Sequence, residues 1–205
     1  MSRLPQPHPA PATDARLLTI AAEHLRRLGP RRVTVVAIAQ AAGMTHANVY
    51  RYFASKAALI DAVAGQWLRS LEAVIADIAD APDPADDKLE RLLQAWARTH
   101  RDLLMEDRHL FDVYCSATET SRALIRKHRA RMRLLIERVL DEGIATGKFE
   151  PRDRERALAL ISDAVYRFIN PLTVRLDVDV PQDILDQRLA AMIRVVLRAL
   201  AHGNV

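Results

Sequence analysis

TVVAIAQAAGMTHANVYRYFASK, residues 34–56, decides the fold of this 205-residue chain. Ile38, Ala39 and Ala42 recur at helical spacing until Gly43 breaks the pattern. A second short helix opens at Thr45 and carries Val49 and Phe53 inward. Two short amphipathic helices joined by a glycine turn make a helix-turn-helix. The glycine is needed because a helix that ends and reverses direction calls for a residue tolerant of positive φ. Ala39 and Ala42 are small enough to let the two helices approach closely, and Thr45 suits an N-cap, its hydroxyl pairing a free N–H of the next turn. The second helix exposes His46, Asn48, Arg51 and Tyr52, with Tyr50 also able to reach outward. These are hydrogen-bonding and phosphate-reaching side chains rather than an ordinary Glu/Lys surface.

The segment resembles the DNA-binding end of the tetracycline-repressor (TetR) family of bacterial transcriptional regulators. The resemblance rests on a first helix ending LRRLG at Gly29 and on Thr34, Ile38, Ala39, Ala42 and Gly43 in the family's Thr-hydrophobic-x-x-Ile-Ala-x-x-Ala-Gly run. It closes on Tyr50, Phe53, Lys56 and Leu59. It is dense over about a quarter of the chain, and past Trp67 only the layout is similar. His46-Ala47-Asn48 departs from the small-residue pairs common in the family, which bears on base preference and not on the fold.

The resemblance implies double-stranded DNA as a partner and assigns expected roles. Thr45, Tyr50, Tyr52 and Lys56 match phosphate-contacting positions, and Thr34 adds a contact at the start of the preceding helix. His46, Ala47 and Asn48 stand early on the recognition helix, with Arg51 one turn on, where base edges are read. Asn pairs two-pronged with adenine, Arg with guanine, and alanine packs on a thymine methyl. The alternatives stay open: Tyr50 as a ring packed between helices, His46 and Asn48 as ordinary exposed residues.

Charge points the same way. Residues 1–60 hold eight Arg and Lys against two acidic side chains, a net +6, which leaves 22 basic and 24 acidic residues, a net −2, in the remainder. A basic head on a near-neutral body is the electrostatic footprint of a DNA-binding domain joined to something else. The N-terminus lacks the apolar stretch of a secretory signal, and its prolines at 5, 7, 9 and 11 read as a flexible arm over 1–12. No apolar run approaches the roughly 20 residues of a membrane span, and the single cysteine, Cys115, fits a reducing, cytoplasmic setting.

The expected fold is all-α: a three-helix DNA-binding domain over 13–60, then a helical effector-binding and dimerisation domain over 61–205. Helices are expected near 13–28, from Ser55 through Ile78, from Pro84 through Leu103, and over about 107–117, 121–146 and 153–174, with Pro171 kinking or ending the sixth of these. The last begins at Pro181. Residues 174–180 alternate apolar and polar, as a strand does. With no partner strand in the chain they are read as an extended connector.

By resemblance, the helices of the second half surround an effector pocket, for which Trp67, Trp96, Phe111, Tyr114, Met132 and Tyr166 are the candidates. Core packing is the competing reading for each. Residues 122–133 carry six Arg and Lys and no carboxylate, either a solvated face or a mark of an anionic effector. The histidines are scattered without metal-ligand spacing, and no phosphate loop, dinucleotide fingerprint or nucleophile elbow is present, so no metal, cofactor or catalytic centre is expected. Cys115 reads as a small buried hydrophobe. The wide apolar faces of the last two long helices, Leu160 and Ala164 on one and Leu189, Met192 and Ile193 on the other, suggest a partner copy. Together these imply a homodimeric, ligand-responsive repressor on a palindromic operator. An effector would move the fourth helix and shift the heads from the roughly 34–36 Å spacing of successive major grooves. A repressor with no small-molecule effector is the alternative.

Overall fold

A computed structural model of the chain describes residues 13–203 and 205. The arm expected over 1–12 lies outside the described residues. Ten helices follow one another with no strand among the described residues: α1 Thr13–Arg32, α2 Val35–Ala41, α3 His46–Tyr50, α4 Lys56–Ala79, α5 Ala85–Glu106, α6 Arg108–Thr120, α7 Arg122–Ala145, α8 Arg154–Ile169, α9 Pro171–Leu176 and α10 Gln182–Ala201.

Local sequence sets the boundaries in the head. Gly29, at φ 73°, breaks α1, which resumes for one turn through Pro30. Thr34, Thr45 and Ser55 each cap the helix that follows, their hydroxyls accepting from Ala37, Asn48 and Ala58 N–H groups. Gly43 makes the turn between α2 and α3 at φ 69°.

Two hydrophobic clusters hold the molecule. The first joins Leu17, Ala21 and Leu25 of α1, Ile38 and Ala39 of α2, Val49 of α3 and Leu59 and Val63 of α4 to Leu103, Phe111 and Val113 of α5 and α6. The second fills the far end between α4, α5, α7, α8 and α10, around Ile75, Leu92, Val139, Ile161 and Val196. Trp67 packs against both. A single helix, α4, therefore passes from the head through one core into the other.

The connector differs from its expected form. Asn170 caps a new helix, its side chain accepting from Leu172 N–H, and Pro171 occupies the first turn, where its missing N–H costs nothing. Val174 thus lies in α9 and is buried in the first cluster. Residues 177–180 form turns, and their carbonyls are taken by a guanidinium. Arg101 donates to Asp177 O at 2.6 Å, Val178 O at 3.0 Å and Val180 O at 2.9 Å. Neither strand nor extended connector forms because side-chain donors supply the partners a neighbouring strand would give.

Candidate functional site

The head presents α3 as a short helix pinned from beneath by buried Val49 and partly buried Phe53. The opposite face is open: Thr45, His46, Ala47, Asn48, Tyr50, Arg51 and Tyr52 are all exposed, Lys56 is half-buried, and Thr34 is exposed at the start of α2. The His46 and Tyr50 rings meet edge to face with centroids 6.3 Å apart, which steadies both on one side of the helix. Tyr50 is 45 % exposed, so the interhelical packing considered for it is not what holds it. Neither Arg51 nor Lys56 takes part in any ion pair formed by the described residues. Free cations, amide and hydroxyl donors on one convex edge can bind phosphates and base edges.

The body candidates divide. Trp67, Trp96, Phe111 and Tyr114 come together in one aromatic chain: Trp67 lies 5.0 Å from Tyr114, and Phe111 meets Tyr114 edge-on at 6.5 Å. Two histidines complete the chain, and the spacing of sequence did not single them out. His100 packs against both Trp67 and Tyr114, at 5.5 Å and 5.3 Å, closing a triangle of rings, and His128 stands edge-on to Trp96 at 6.5 Å. The available signal was Trp96 and His100 one helical turn apart, an aromatic pair sharing a face; metal spacing alone does not reveal it.

His100 is fully buried and its hydrogen bonds fix its tautomer. Trp96 O, 2.9 Å from Nδ1, can only accept, so Nδ1 carries the proton and Nε2 accepts from the Tyr114 hydroxyl at 3.1 Å. Burial drives the His100 pKa down to about 4, so the ring is neutral. Burial raises the Tyr114 phenol well above its ordinary range. His128 donates from Nδ1 to the Glu72 carboxylate at 2.8 Å, and burial lowers its pKa against that partner's pull. Its Nε2 and the Trp96 indole N–H are buried without a protein partner among the described residues.

Met132 is buried in the second cluster. Tyr166 does not join the chain: it is 54 % exposed and its hydroxyl accepts from the Asn170 side-chain amide at 2.8 Å. The reason is helical phase. Ile161 and Val165 of α8 face the core, and the residue after Val165 stands about 100° round the helix from it. Cys115 is buried, its thiol pushed up to about 11 chiefly by burial, as befits an unreactive side chain. Of the residues expected to meet a partner, Leu189 and Ile193 are buried within the subunit, whereas Met192 stays exposed, and Val195, which was not singled out, is exposed on the same helix.

Open space lies in surface grooves. One of about 580 Å³ runs between α4 and α7. Another, of about 790 Å³, separates the end of α1 from α6 and α9. At that second junction Arg26 pairs with Asp107, and His109 Nδ1 donates to Arg26 O at 2.7 Å, tying α1 to the start of α6.

Comparison with known proteins agrees with this architecture. Residues 17–63 match the family model for bacterial regulatory proteins of the tetR family, and residues 85–198 match the tetracyclin repressor-like C-terminal domain. The chain is 29 % identical over 161 residues to the HTH-type transcriptional repressor KstR2 of Mycobacterium tuberculosis, covering 77 % of this chain and 76 % of that protein. A TetR/AcrR-family regulator from Thermobifida fusca superposes with a TM-score of 0.67 at 22 % identity, covering 90 % of this chain and 96 % of that one. FadR of Bacillus subtilis, solved in complex with stearoyl-CoA, superposes with a TM-score of 0.61 at 21 % identity over 92 % of this chain and 98 % of its own.

Proposed function

We propose that this chain, which belongs to the tetR family of bacterial transcriptional regulators, represses transcription as a homodimer on a palindromic operator and leaves it when a small molecule binds the body. In this reading Thr34, Thr45, Tyr50, Tyr52 and Lys56 hold phosphates, while His46, Ala47, Asn48 and Arg51 read bases. The observation that carries it is the exposed, unpaired polar face of α3 above a fully apolar underside. The exposed apolar side chains Met192 and Val195 on α10 support a second copy as partner.

Effector response is supported by α4, which reaches from the DNA grip at Ser55 and Lys56 to Trp67 in both cores. A ligand acts only through unequal affinity for two states, so a helix that both sites touch is where that inequality can be expressed. One observation favours the second reading, a repressor answering to no small molecule: Phe111, Tyr114 and Trp96 are closely packed and buried rather than arrayed around a void. Anisotropy of a labelled operator, titrated with compounds that raise the protein's thermal midpoint, separates the two. Release by a stabilising compound supports effector control; no release by any stabilising compound establishes the alternative.

A further inference from the structure

Arg101 is an exception among the buried charges of the described residues. Five polar side chains are buried there, and the other four are accounted for. Lys88 pairs with Glu142, Asp177 with Arg167, His128 is bonded to Glu72, and His100 is neutral. Arg101, only 7 % exposed, joins no ion pair among the described residues. A guanidinium cannot shed its proton to escape the cost of burial, as a lysine or histidine can. Burial also sets it apart from Arg98, Arg122, Arg126 and Arg131, which are exposed and whose charge water solvates.

Its hydrogen bonds leave one donor unanswered. Nη1 donates to Asp177 O and Nη2 to Val178 O and Val180 O, which clamps the turn between α9 and α10. Carbonyls at a helix end carry partial charge, which softens a cation without cancelling it. Nε–H is buried with no partner in the protein. Arg101 also lines a cavity of about 30 Å³ between α5, α8, α9 and α10, walled in part by Phe168 and Leu189. That is room for about one water-sized occupant. The other polar side chains of its lining are Arg98, Arg167, Gln182, Asp177 and Asp186, so three arginines stand against two carboxylates. Asp177 is held by Arg167 at 2.5 Å, and Asp186 accepts from the Gln182 amide at 2.8 Å. One positive charge is left over.

We propose that this cavity binds one compact monovalent anion, of halide size, as the counter-ion of Arg101. Nε–H donates to it, and Arg98 and Gln182 stand on the same lining as further donors. Phe168 and Leu189 lower the local dielectric, which strengthens that pairing. The volume admits no organic tail, so the occupant is an inorganic ion rather than the acid group of an effector. With the ion in place, Arg101 holds the 177–180 turn from a neutralised site and so fixes where α10 starts against α5 and α8. The site stands apart from effector control and from the DNA-binding face.

Anomalous diffraction from crystals of the full chain equilibrated in sodium bromide tests the site directly. A bromide peak within hydrogen-bond distance of Arg101 Nε is expected. In solution, exchanging sodium gluconate for sodium bromide at constant ionic strength should raise the thermal midpoint by about 2 °C or more, because an ion that binds only the folded state stabilises it by mass action. Arg101→Gln, which keeps an amide donor but removes the charge, should abolish that shift, whereas Arg122→Gln, outside the cavity, should keep it. Should Arg101→Gln not fold, the wild-type peak and shift decide alone. Asp186→Asn tests the rival in which that carboxylate turns to serve as the counter-ion. The proposal expects this variant to be at least as stable as wild type in gluconate and to keep the bromide shift. Lower stability in gluconate, with a bromide response that the wild type lacks, would assign the role to Asp186 and overturn the inference. No peak beside Arg101, no shift in the wild type, or an equal shift in Arg101→Gln overturns it as well.

Discussion

His100 and Tyr114 illustrate how single residues set the behaviour of the body. The Tyr114 hydroxyl is the donor that satisfies His100 Nε2 in a site without water-exposed surface. Tyr114→Phe is expected to cost about 1–3 kcal/mol, the penalty for a buried acceptor left unpaired, seen as a lower denaturant midpoint. The same histidine makes stability depend on pH. Its folded pKa of about 4 lies below the ordinary 6.5, so the unfolded chain binds the extra proton. The contribution is complete above pH 6.5 and is lost as pH falls towards 4, and His128 is shifted in the same direction. Urea midpoints should therefore drop between those pH values, and His100→Gln should flatten the drop; an unchanged slope contradicts the assignment. On α3, Asn48→Ala or Arg51→Ala should relax preference at one base position by about 1–3 kcal/mol. Lys56→Ala should instead weaken all sequences alike and shallow the salt dependence. A changed base preference in Lys56→Ala with none in Asn48→Ala contradicts that division. The α3 face was readable from residue types and caps. The two histidines were so only in part: Trp96 and His100 share a face one turn apart, but the side-chain partners Tyr114 and Glu72 lie across the fold and leave no local pattern.

Elements were legible where their ends carry chemical signals. Thr34, Thr45 and Ser55 announce α2, α3 and α4, and each hydroxyl accepts the N–H its position calls for. Residues 170–180 show the opposite case. Asn170-Pro171 is a cap followed by a first-turn proline, yet a proline read from the N-terminal side is also where a helix stops. Both hold here, since α8 ends and α9 begins. The alternation over 174–180 then misleads, because Arg101 fixes the backbone from a helix more than seventy residues away in sequence. The Gly65 position in α4 fits close packing, with no non-helical backbone recorded there. Gly143 in α7 is a stricter case. A Cβ there would stand 2.0 Å from Cδ2 of Phe149, a ring that is itself buried and accepts no shift. Gly143→Ala should lower stability by about 1–3 kcal/mol despite alanine's better helix propensity. A thermal midpoint equal to or above wild type would show that the α7–Phe149 contact is softer than it stands.

Across the whole molecule, head and body share side chains rather than merely a linker. Trp67 belongs to both clusters, and Arg26 and His109 bind α1 to α6 beside it. The α4 route was visible in sequence as one long helix leaving the DNA grip. The α1–α6 tie was not, since a contact spanning some eighty residues leaves no local pattern. Trp67→Ala is expected to impair ligand-induced release more than operator affinity without ligand, measured by anisotropy on a folded dimer. Unchanged release removes Trp67 from the coupling route. The same whole-molecule view decides the central claim, that two copies place their α3 helices in successive major grooves of one operator. The most direct measurement is stoichiometry and affinity on a palindrome selected from random duplexes, set beside its isolated half-site. Two protomers per palindrome are expected, with a half-site far weaker, affinity falling steeply with salt, and preference lost in Asn48→Ala/Arg51→Ala. One protomer per duplex, equal affinity for half-site and palindrome, or preference unchanged in that variant would contradict it.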